Sequence, residues 1–297
     1  MSHFDSCPVC QSKNIHSIFS VTDHFVSGES FPLIRCFDCD FIFTQDTPDE
    51  NIIKNYYKSE EYISHSNTGK GIINSLYHLA RRVMLSRKHK LVKKATGLDR
   101  GATILDIGTG TGYFPGYMKS KGWQATGMEI DDQAANFARN KFGINIYKPD
   151  EIDSLEKGSF DAVSLWHVLE HLYHPDQWIN SISRLLKKRG ICIVALPNNS
   201  SSDAKFYKKW WAAWDVPRHL WHFNPDSFSI YINDKGFEIV DIRRLPFDAI
   251  YVSLLSEKYT GGKMGFVRGV LIGLLSWSVS IFNKYRTSSL VYVLRKI

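Results

Sequence analysis

The sequence predicts an α/β protein: a doubly wound, seven-stranded, mostly parallel sheet, preceded by a small module built on paired cysteines. Three observations predict it. From Thr103 onward, short apolar and β-branched runs alternate with helical stretches, the pattern of parallel strands joined by crossover helices. The first of these runs stops at a glycine-rich turn, Gly108-Thr109-Gly110-Thr111-Gly112, and reopens as a helix at Tyr113. Four of the five cysteines fall into two C-x-x-C pairs near the amino terminus.

The strands are expected at Thr103 to Ile107, Ala125 to Ile130, Asn145 to Tyr147, Phe160 to Trp166, Gly190 to Leu196, Phe237 to Arg243 and Leu290 to Leu294. Thr103 to Ile107 is too short for a helix and suits a buried strand. Helices are expected at Tyr113 to Lys121, Gln133 to Phe142, Asp176 to Lys188 and Pro225 to Lys235. Upstream, Ile72, Leu76, Leu79, Ala80, Val83, Met84, Leu91 and Val92 recur close to helical spacing, which predicts a helix over Ile72 to Ala95. The segment Asn51 to Ser66, rich in tyrosine (Tyr56, Tyr57, Tyr62), reads as a helix and loop leading to it.

An apolar content of 43% with 23% charged residues is that of a globular protein, not a disordered chain. The net charge of +7 is spread along the sequence. Its densest cluster, Arg81, Arg82, Arg87, Lys88, Lys90, Lys93 and Lys94, reads as a solvated helix face, with an anionic or nucleic-acid partner as the alternative. No apolar run precedes Cys7, so no secretory signal is read and a cytoplasmic setting is expected. In a reducing compartment, Cys7, Cys10, Cys36 and Cys39 read as the tetrahedral ligands of a structural Zn2+ rather than as disulfides. Residues 1–45 are then a zinc ribbon. Cys192 sits in an apolar strand and reads as core.

The glycine turn fits a nucleotide-like ligand at the carboxyl edge of a parallel sheet. It lacks the Gly-Lys-Ser/Thr of a phosphate-gripping loop, since Tyr113 and Phe114 follow Gly112. Gly108, Gly110 and Gly112 run G-x-G-x-G, not the dinucleotide spacing G-x-G-x-x-G. Asp106, two residues before the first glycine, would repel a pyrophosphate but could hold a cationic group. With Asp106, the stretch Thr103 to Phe114 resembles motif I of the class I S-adenosylmethionine-dependent methyltransferases. The resemblance covers roughly residues 70–297 and implies a Rossmann-like methyltransferase fold with S-adenosylmethionine as cofactor.

Under that resemblance Asp106, Gly108, Gly110 and Gly112 hold the amino acid end of the cofactor. Glu129, ending the second strand, accepts from the ribose hydroxyls, a use acids at strand ends also serve in dinucleotide folds. Asp150, after the third strand, lies where the family holds adenine. The run His167-Val168-Leu169-Glu170-His171 resembles the family's V-L-E-H segment, which puts His167 near the cofactor and the reaction centre. His167, Glu170 and His171 could also share one side of a turn, leaving a divalent metal as an alternative.

Between the fifth strand and the next helix lie four tryptophans (Trp210, Trp211, Trp214, Trp221) and two histidines (His219, His222). The segment Pro217-Arg218-His219-Leu220-x-x-Phe223 resembles the H-E-H-L-x-x-F-S segment of zinc-ribbon sugar C-methyltransferases. The correspondence makes His219 the candidate general base, although Arg218 stands where those enzymes carry a glutamate. Removing a proton from carbon needs a positioned base, so C-methylation is not favoured. The aromatic loop suggests a closed pocket and a small-molecule acceptor.

The expected organisation is a ribbon (1–45), a linker and helical cap (46–100), and a methyltransferase core (101–297) with an apolar insertion around 253–287. Phe266 to Phe282 is nearly all apolar but short of the ~20 residues of a membrane span. An apolar helix packed on the core or forming a lid is expected. A peripheral helix lying on a membrane is the alternative. The expected function is methyl transfer to a sugar or another metabolic or cell-envelope intermediate. An RNA methyltransferase gripping its substrate through the ribbon, and a cofactor-binding scaffold without chemistry, are the rival readings.

Overall fold

A computed structural model describes residues 3–57, 72–245, 248–262 and 264–297. Strands β1 (Ile15–Thr22) and β2 (Ser30–Cys36) form an antiparallel hairpin, and β3 (Ile42–Thr44) pairs with β2. A 3-10 turn, Ile53–Tyr57, follows. Tyr62 and the rest of the expected joining segment lie outside the described residues.

Helix α1 (Ile72–Thr96) leads into β4 (Thr103–Ile107), α2 (Tyr113–Ser120) and β5 (Gln124–Met128). Next come α3 (Asp132–Phe142), β6 (Asn145–Tyr147) and β7 (Phe160–Trp166). Helix α4 (Pro175–Leu185) runs directly into β8 (Leu186–Pro197). The helix therefore ends before the expected Lys188. Exposed Lys187, Lys188 and Arg189 form a bulge in β8, with Arg189 at φ 61° and the pairing to β7 jumping from Leu186 to Ile191. After α5 (Ser202–Tyr207) come β9 (Trp221–His222), α6 (Pro225–Asn233) and β10 (Phe237–Arg244). Helices α7 (Asp248–Thr260) and α8 (Gly265–Phe282) precede the last strand, β11 (Ser289–Lys296).

The main sheet has the order β10-β11-β8-β7-β4-β5-β6, with β11 antiparallel to both its neighbours. Each of the seven expected strands has its counterpart here. Its middle strands are buried on both faces, as parallel sheets require. Leu105, Ile107, Val163, Leu165, Cys192 and Val194 line one core, and Ile104, Ala162, Ile191, Ile193 and Ala195 the other. From β4 the chain steps outward to β5 and β6, then crosses back to β7 and β8. The carboxyl ends of β4 and β7 thus frame the switch point, where ligands bind in open α/β sheets.

Two boundaries differ from the expectation because packing ignores them. Helix α1, read as part of a linker and cap, buries Leu91 and Val92 in the same core as Ile104 and Ile193. The cysteine module is not a separate bead either. Its sheet has the order β1-β2-β3-β9, so it takes a strand from the loop after β8. Phe41 and Phe43 share a core with Trp221, Phe223 and Phe228.

Helix α8 is the apolar insertion. Gly269 and Gly273 sit so close to α7 that a Cβ would come within 2.9 Å and 2.6 Å of the Leu254 and Ile250 backbone. Its small face is therefore packed, while Phe266, Leu271, Leu275 and Phe282 are 75%, 55%, 61% and 92% exposed. By length and composition it could cross a membrane. A crossing would, however, separate β11 from β8 and β10, which flank it only residues 283–288 later.

Candidate active site

The glycine turn follows β4 because each glycine takes a left-handed φ (66°, 54° and 73° at Gly108, Gly110 and Gly112). Close packing fixes two of them: a Cβ on Gly108 would meet Val168 at 2.5 Å, and one on Gly112 would meet Ala138 at 2.5 Å. Gly110 differs, with nothing within 4 Å of its Cβ position. Its backbone faces open space at the switch point, the cradle a close-lying ligand needs.

Glu129 lies just beyond β5. Its carboxylate accepts the Gly110 N–H at 2.6 Å and the Asp131 N–H at 2.9 Å, so it shapes the turn while keeping lone pairs for a ligand. The next residue, Ile130, is 76% exposed, an apolar surface beside that acid. Asp106 is buried and accepts from the Ser164 hydroxyl at 2.6 Å. Burial pushes its carboxyl up to about 6, against the Ser164 hydrogen bond and the charge of Lys88. Asp150 is exposed in the 3-10 turn after β6. Thus Asp150, Glu129, the glycine turn and His167 stand at the carboxyl ends of β6, β5, β4 and β7, adjacent strands of one sheet.

His167 has φ 60° and is bracketed by two carboxylates. Its Nδ1 lies 3.2 Å from Glu170 Oε1 and its Nε2 3.5 Å from Asp248 Oδ2. Burial alone would lower this imidazole, but the two acids outweigh it and push it up to about 9. His167 is therefore a cation at neutral pH and has no lone pair to act as a base.

His219 lies across from it, in the loop that the ribbon grips. The His219 ring packs 4.5 Å from the His171 ring, edge to face. Its Nδ1 lies 2.9 Å from the Ala213 carbonyl. A carbonyl can only accept, so Nδ1 carries the proton and Nε2 the lone pair. Asp215 Oδ2 is 3.8 Å from that Nε2. The Thr44 hydroxyl of β3 donates to the His219 carbonyl at 2.7 Å and lies 2.9 Å from His222 Nε2. Burial drives His222 well below its ordinary value, with the charge of His219 acting the same way.

Arg218 explains its own departure from the glutamate. Its buried guanidinium donates to Asp23 of the ribbon at 3.0 Å and to both oxygens of Asp215 at 2.6 and 3.1 Å. It is a strut between ribbon and loop. Of the tryptophans, Trp210 and Trp214 line a cavity. Trp211, Trp214 and Trp221 are buried, with their indole N–H groups bonded to Asp203, Lys208 and Leu172. A cavity of about 570 Å3 does open between the ribbon and this loop, but its walls, among them Phe19, Tyr207 and Trp214, include none of the cofactor-side residues.

In the ribbon, Cys7 Sγ and Cys39 Sγ lie 3.5 Å apart, as do Cys10 Sγ and Cys36 Sγ, with no disulfide. The four sulfurs all lie within 4.8 Å of one another. A tetrahedron with Zn–S bonds of ~2.3 Å has edges of ~3.8 Å, so the cluster fits one ion.

Residues 76–242 match the methyltransferase domain family. The chain belongs to that family. Among relatives, this methyltransferase-domain chain is 25% identical to a tabtoxin biosynthesis enzyme of Pseudomonas amygdali pv. tabaci, over 54% of this chain and 64% of that one. It is 32% identical to a ubiquinone biosynthesis O-methyltransferase of Caulobacter vibrioides, over 34% of this chain and 42% of the relative. It thus spans less than two thirds of the length of either. Among solved structures, magnesium protoporphyrin IX methyltransferase from Synechocystis PCC 6803, with bound SAH, covers 84% of this chain and aligns over 100% of its own at 13% identity and TM-score 0.56. That likeness is one of fold.

One residue of this methyltransferase domain escaped the sequence reading. Lys88, counted there with a solvated face, packs its ammonium 4.1 Å over the Trp166 ring, near Asp106 and Asp248. Burial pulls it down to about 8, although both acids oppose that. The signal was its spacing. Met84, Lys88 and Val92 form an i, i+4 row, so the lysine stands on the buried stripe of α1.

Proposed function

We propose that this protein transfers the methyl group of S-adenosylmethionine to a small-molecule acceptor. The observation that carries the reading is the alignment of Asp106, the open Gly110 backbone, Glu129 and His167 along one sheet edge. Asp106 would hold the cationic amino group of the cofactor and Lys88 its carboxylate. Glu129 would take the ribose hydroxyls, with Ile130 against the purine and Asp150 at its rim. The reaction is in-line attack of an acceptor atom on the sulfonium methyl, with rate gained largely from alignment. The His167 cation, neutralised by Glu170 and Asp248, positions the loop beside the cofactor. His219, with its Nε2 lone pair, would receive the acceptor's proton.

Cys7, Cys10, Cys36 and Cys39 would bind a structural Zn2+, consistent with a reducing cytoplasmic setting. The ribbon's contacts to Arg218, His219 and Trp221 support a role in bracing the acceptor side over a role in gripping RNA. The tabtoxin and ubiquinone enzymes, named for small-molecule pathways, support the same acceptor class. The exposed apolar face of α8, closed at its end by Lys284 and Tyr285, supports contact with a membrane surface.

The test is label transfer. Purified protein with methyl-labelled S-adenosylmethionine and fractionated cell extract should label the small-molecule or lipid pool, and His219→Ala should abolish it. Label in RNA would overturn the acceptor class. Bound cofactor without label in any pool would favour a binding protein.

A further inference from the structure

A carboxylate oxygen without a partner marks a second site. Glu170 is fully buried. Its Oε1 meets His167 Nδ1 at 3.2 Å, yet no donor among the described residues reaches its Oε2. Leaving such an atom unpaired in the interior is costly, so a group in the native protein should satisfy it.

Two imidazoles stand beside it. One ligand atom from each of Glu170, His171 and His219 lies within 4.8 Å of the others. His171 Nδ1 is 3.0 Å from the Arg218 carbonyl and 3.0 Å from the Tyr57 hydroxyl. His219 Nδ1 is 2.9 Å from the Ala213 carbonyl. Because a carbonyl only accepts, both Nδ1 atoms carry protons and both Nε2 atoms carry lone pairs. A ring nitrogen anchored on a backbone carbonyl, with the other free to donate electrons, is the arrangement that orients metal-binding histidines. Glu170 follows the same rule, one oxygen anchored by His167 and the other unclaimed. Asp215, also near His219, has its charge paired with Arg218 and is not one of the three clustered ligands.

We propose that Glu170, His171 and His219 bind a divalent transition-metal ion, distinct from the zinc of the cysteine cluster. Two imidazoles and one carboxylate suit Mn2+, Fe2+, Co2+ or Zn2+ and leave coordination positions open. The ion would take the His219 Nε2 lone pair that otherwise receives a proton. An acceptor hydroxyl held on the ion would have its pKa lowered, give its proton to water and attack as the alkoxide, in place of deprotonation by a free imidazole. The site requires that His219, from the loop the ribbon braces, meet Glu170 and His171 from the segment after β7. Neither sequence segment contains it alone.

The test is a binding measurement that uses neither methyl donor nor acceptor, so it stands apart from the proposed reaction. Full-length protein, with its cysteine-bound zinc quantified by elemental mass spectrometry, is titrated with Mn2+ followed by the resonance of the free ion. A parallel titration uses Co2+ followed by visible absorption. Mn2+ has little preference for thiolates, so the cysteine cluster does not mask the result. One further ion per chain is expected, with affinity reduced ~10–100-fold in Glu170→Gln and in His219→Ala. Failure of a zinc-replete chain to take up either metal overturns the site. So does uptake of one equivalent that both substitutions leave unchanged. The wild-type stoichiometry decides the matter even where a variant folds poorly.

Discussion

Replacing Arg218 with alanine tests whether the ribbon and the loop that carries His219 are one structural unit. The guanidinium is buried and makes four hydrogen bonds, to Asp23, to both oxygens of Asp215, and to the Tyr56 carbonyl at 2.8 Å. Removing one partner of a buried ion pair typically costs ~3–5 kcal/mol, mostly from the charge left behind. The two acids differ in what they keep. Asp23 still accepts from the Phe25, Val26 and Ser27 N–H groups and the Ser27 hydroxyl. Asp215 loses the partner of both its oxygens. The cost should therefore fall near the lower end, ~3 kcal/mol, with most of it at Asp215. Urea unfolding at neutral pH, followed by circular dichroism, measures it. Adding Asp215→Asn in the Arg218→Ala background removes the stranded charge and should return ~1–2 kcal/mol. A loss below ~1 kcal/mol, or no recovery in the double variant, would refute the reasoning.

Other outcomes follow from the same contacts. The His167 pKa of about 9 lies above its ordinary 6.5, so its contribution to stability is complete below about pH 6.5 and lost as pH rises through 9. The stability difference between wild type and His167→Gln should shrink over that interval, and a constant difference would contradict the bracketing by Glu170 and Asp248. Gly110→Ala should cost only ~1 kcal/mol of stability, for its positive φ. It should nonetheless weaken S-adenosylmethionine binding at least ~10-fold, read by calorimetry. Gly112→Ala should show the reverse balance, losing ~1–3 kcal/mol to the clash with Ala138. Cys39→Ser should abolish zinc uptake and raise hydrogen exchange at Phe43 and Trp221, whose strands pair across the ribbon sheet. Serine at Phe266, Leu271 and Leu275 should leave the fold intact and remove co-sedimentation with lipid vesicles.

What could be read from the sequence was whatever local pattern determines. Thr103 to Ile107 is a strand because β-branched residues precede a glycine turn, and its bounds match β4. The four cysteines converge because each C-x-x-C knuckle is itself local, leaving a single long-range meeting to be made. Lys187 and Lys188 looked like the charged end of a helix, but the chain had already turned into β8 at Leu186. The tryptophan-rich loop suggested a pocket, and Trp210 and Trp214 line one, but composition says nothing about which indoles are already bonded. Least legible was the setting of His219. Its carbonyl is bonded to a residue 175 positions away and its ring packs on His171, contacts that exist only once three segments have met.

That meeting gives the ribbon a physical task. Ala212 to Leu220 has no long helix or strand, and ordering such a segment costs ~1–2 kcal/mol per residue in backbone entropy. Ser256 of α7 accepts the Ala212 N–H, and the segment after β7 meets Arg218 and Leu220 through His171 and the Glu170 carbonyl. The ribbon adds Thr44 on the His219 carbonyl, Asp23 on Arg218, and β3 as the pairing partner of β9. The half proposed to hold the cofactor needs none of this, because Asp106, the glycine turn and Glu129 are fixed by β4 and β5 and by each other. The two halves therefore depend on different parts of the molecule and touch where Val168 packs on Gly108 and His171 on His219. Loss of the ribbon's metal should then cut turnover of the acceptor while S-adenosylmethionine still binds. An equal loss of both would mean that the ribbon supports the whole sheet rather than this loop.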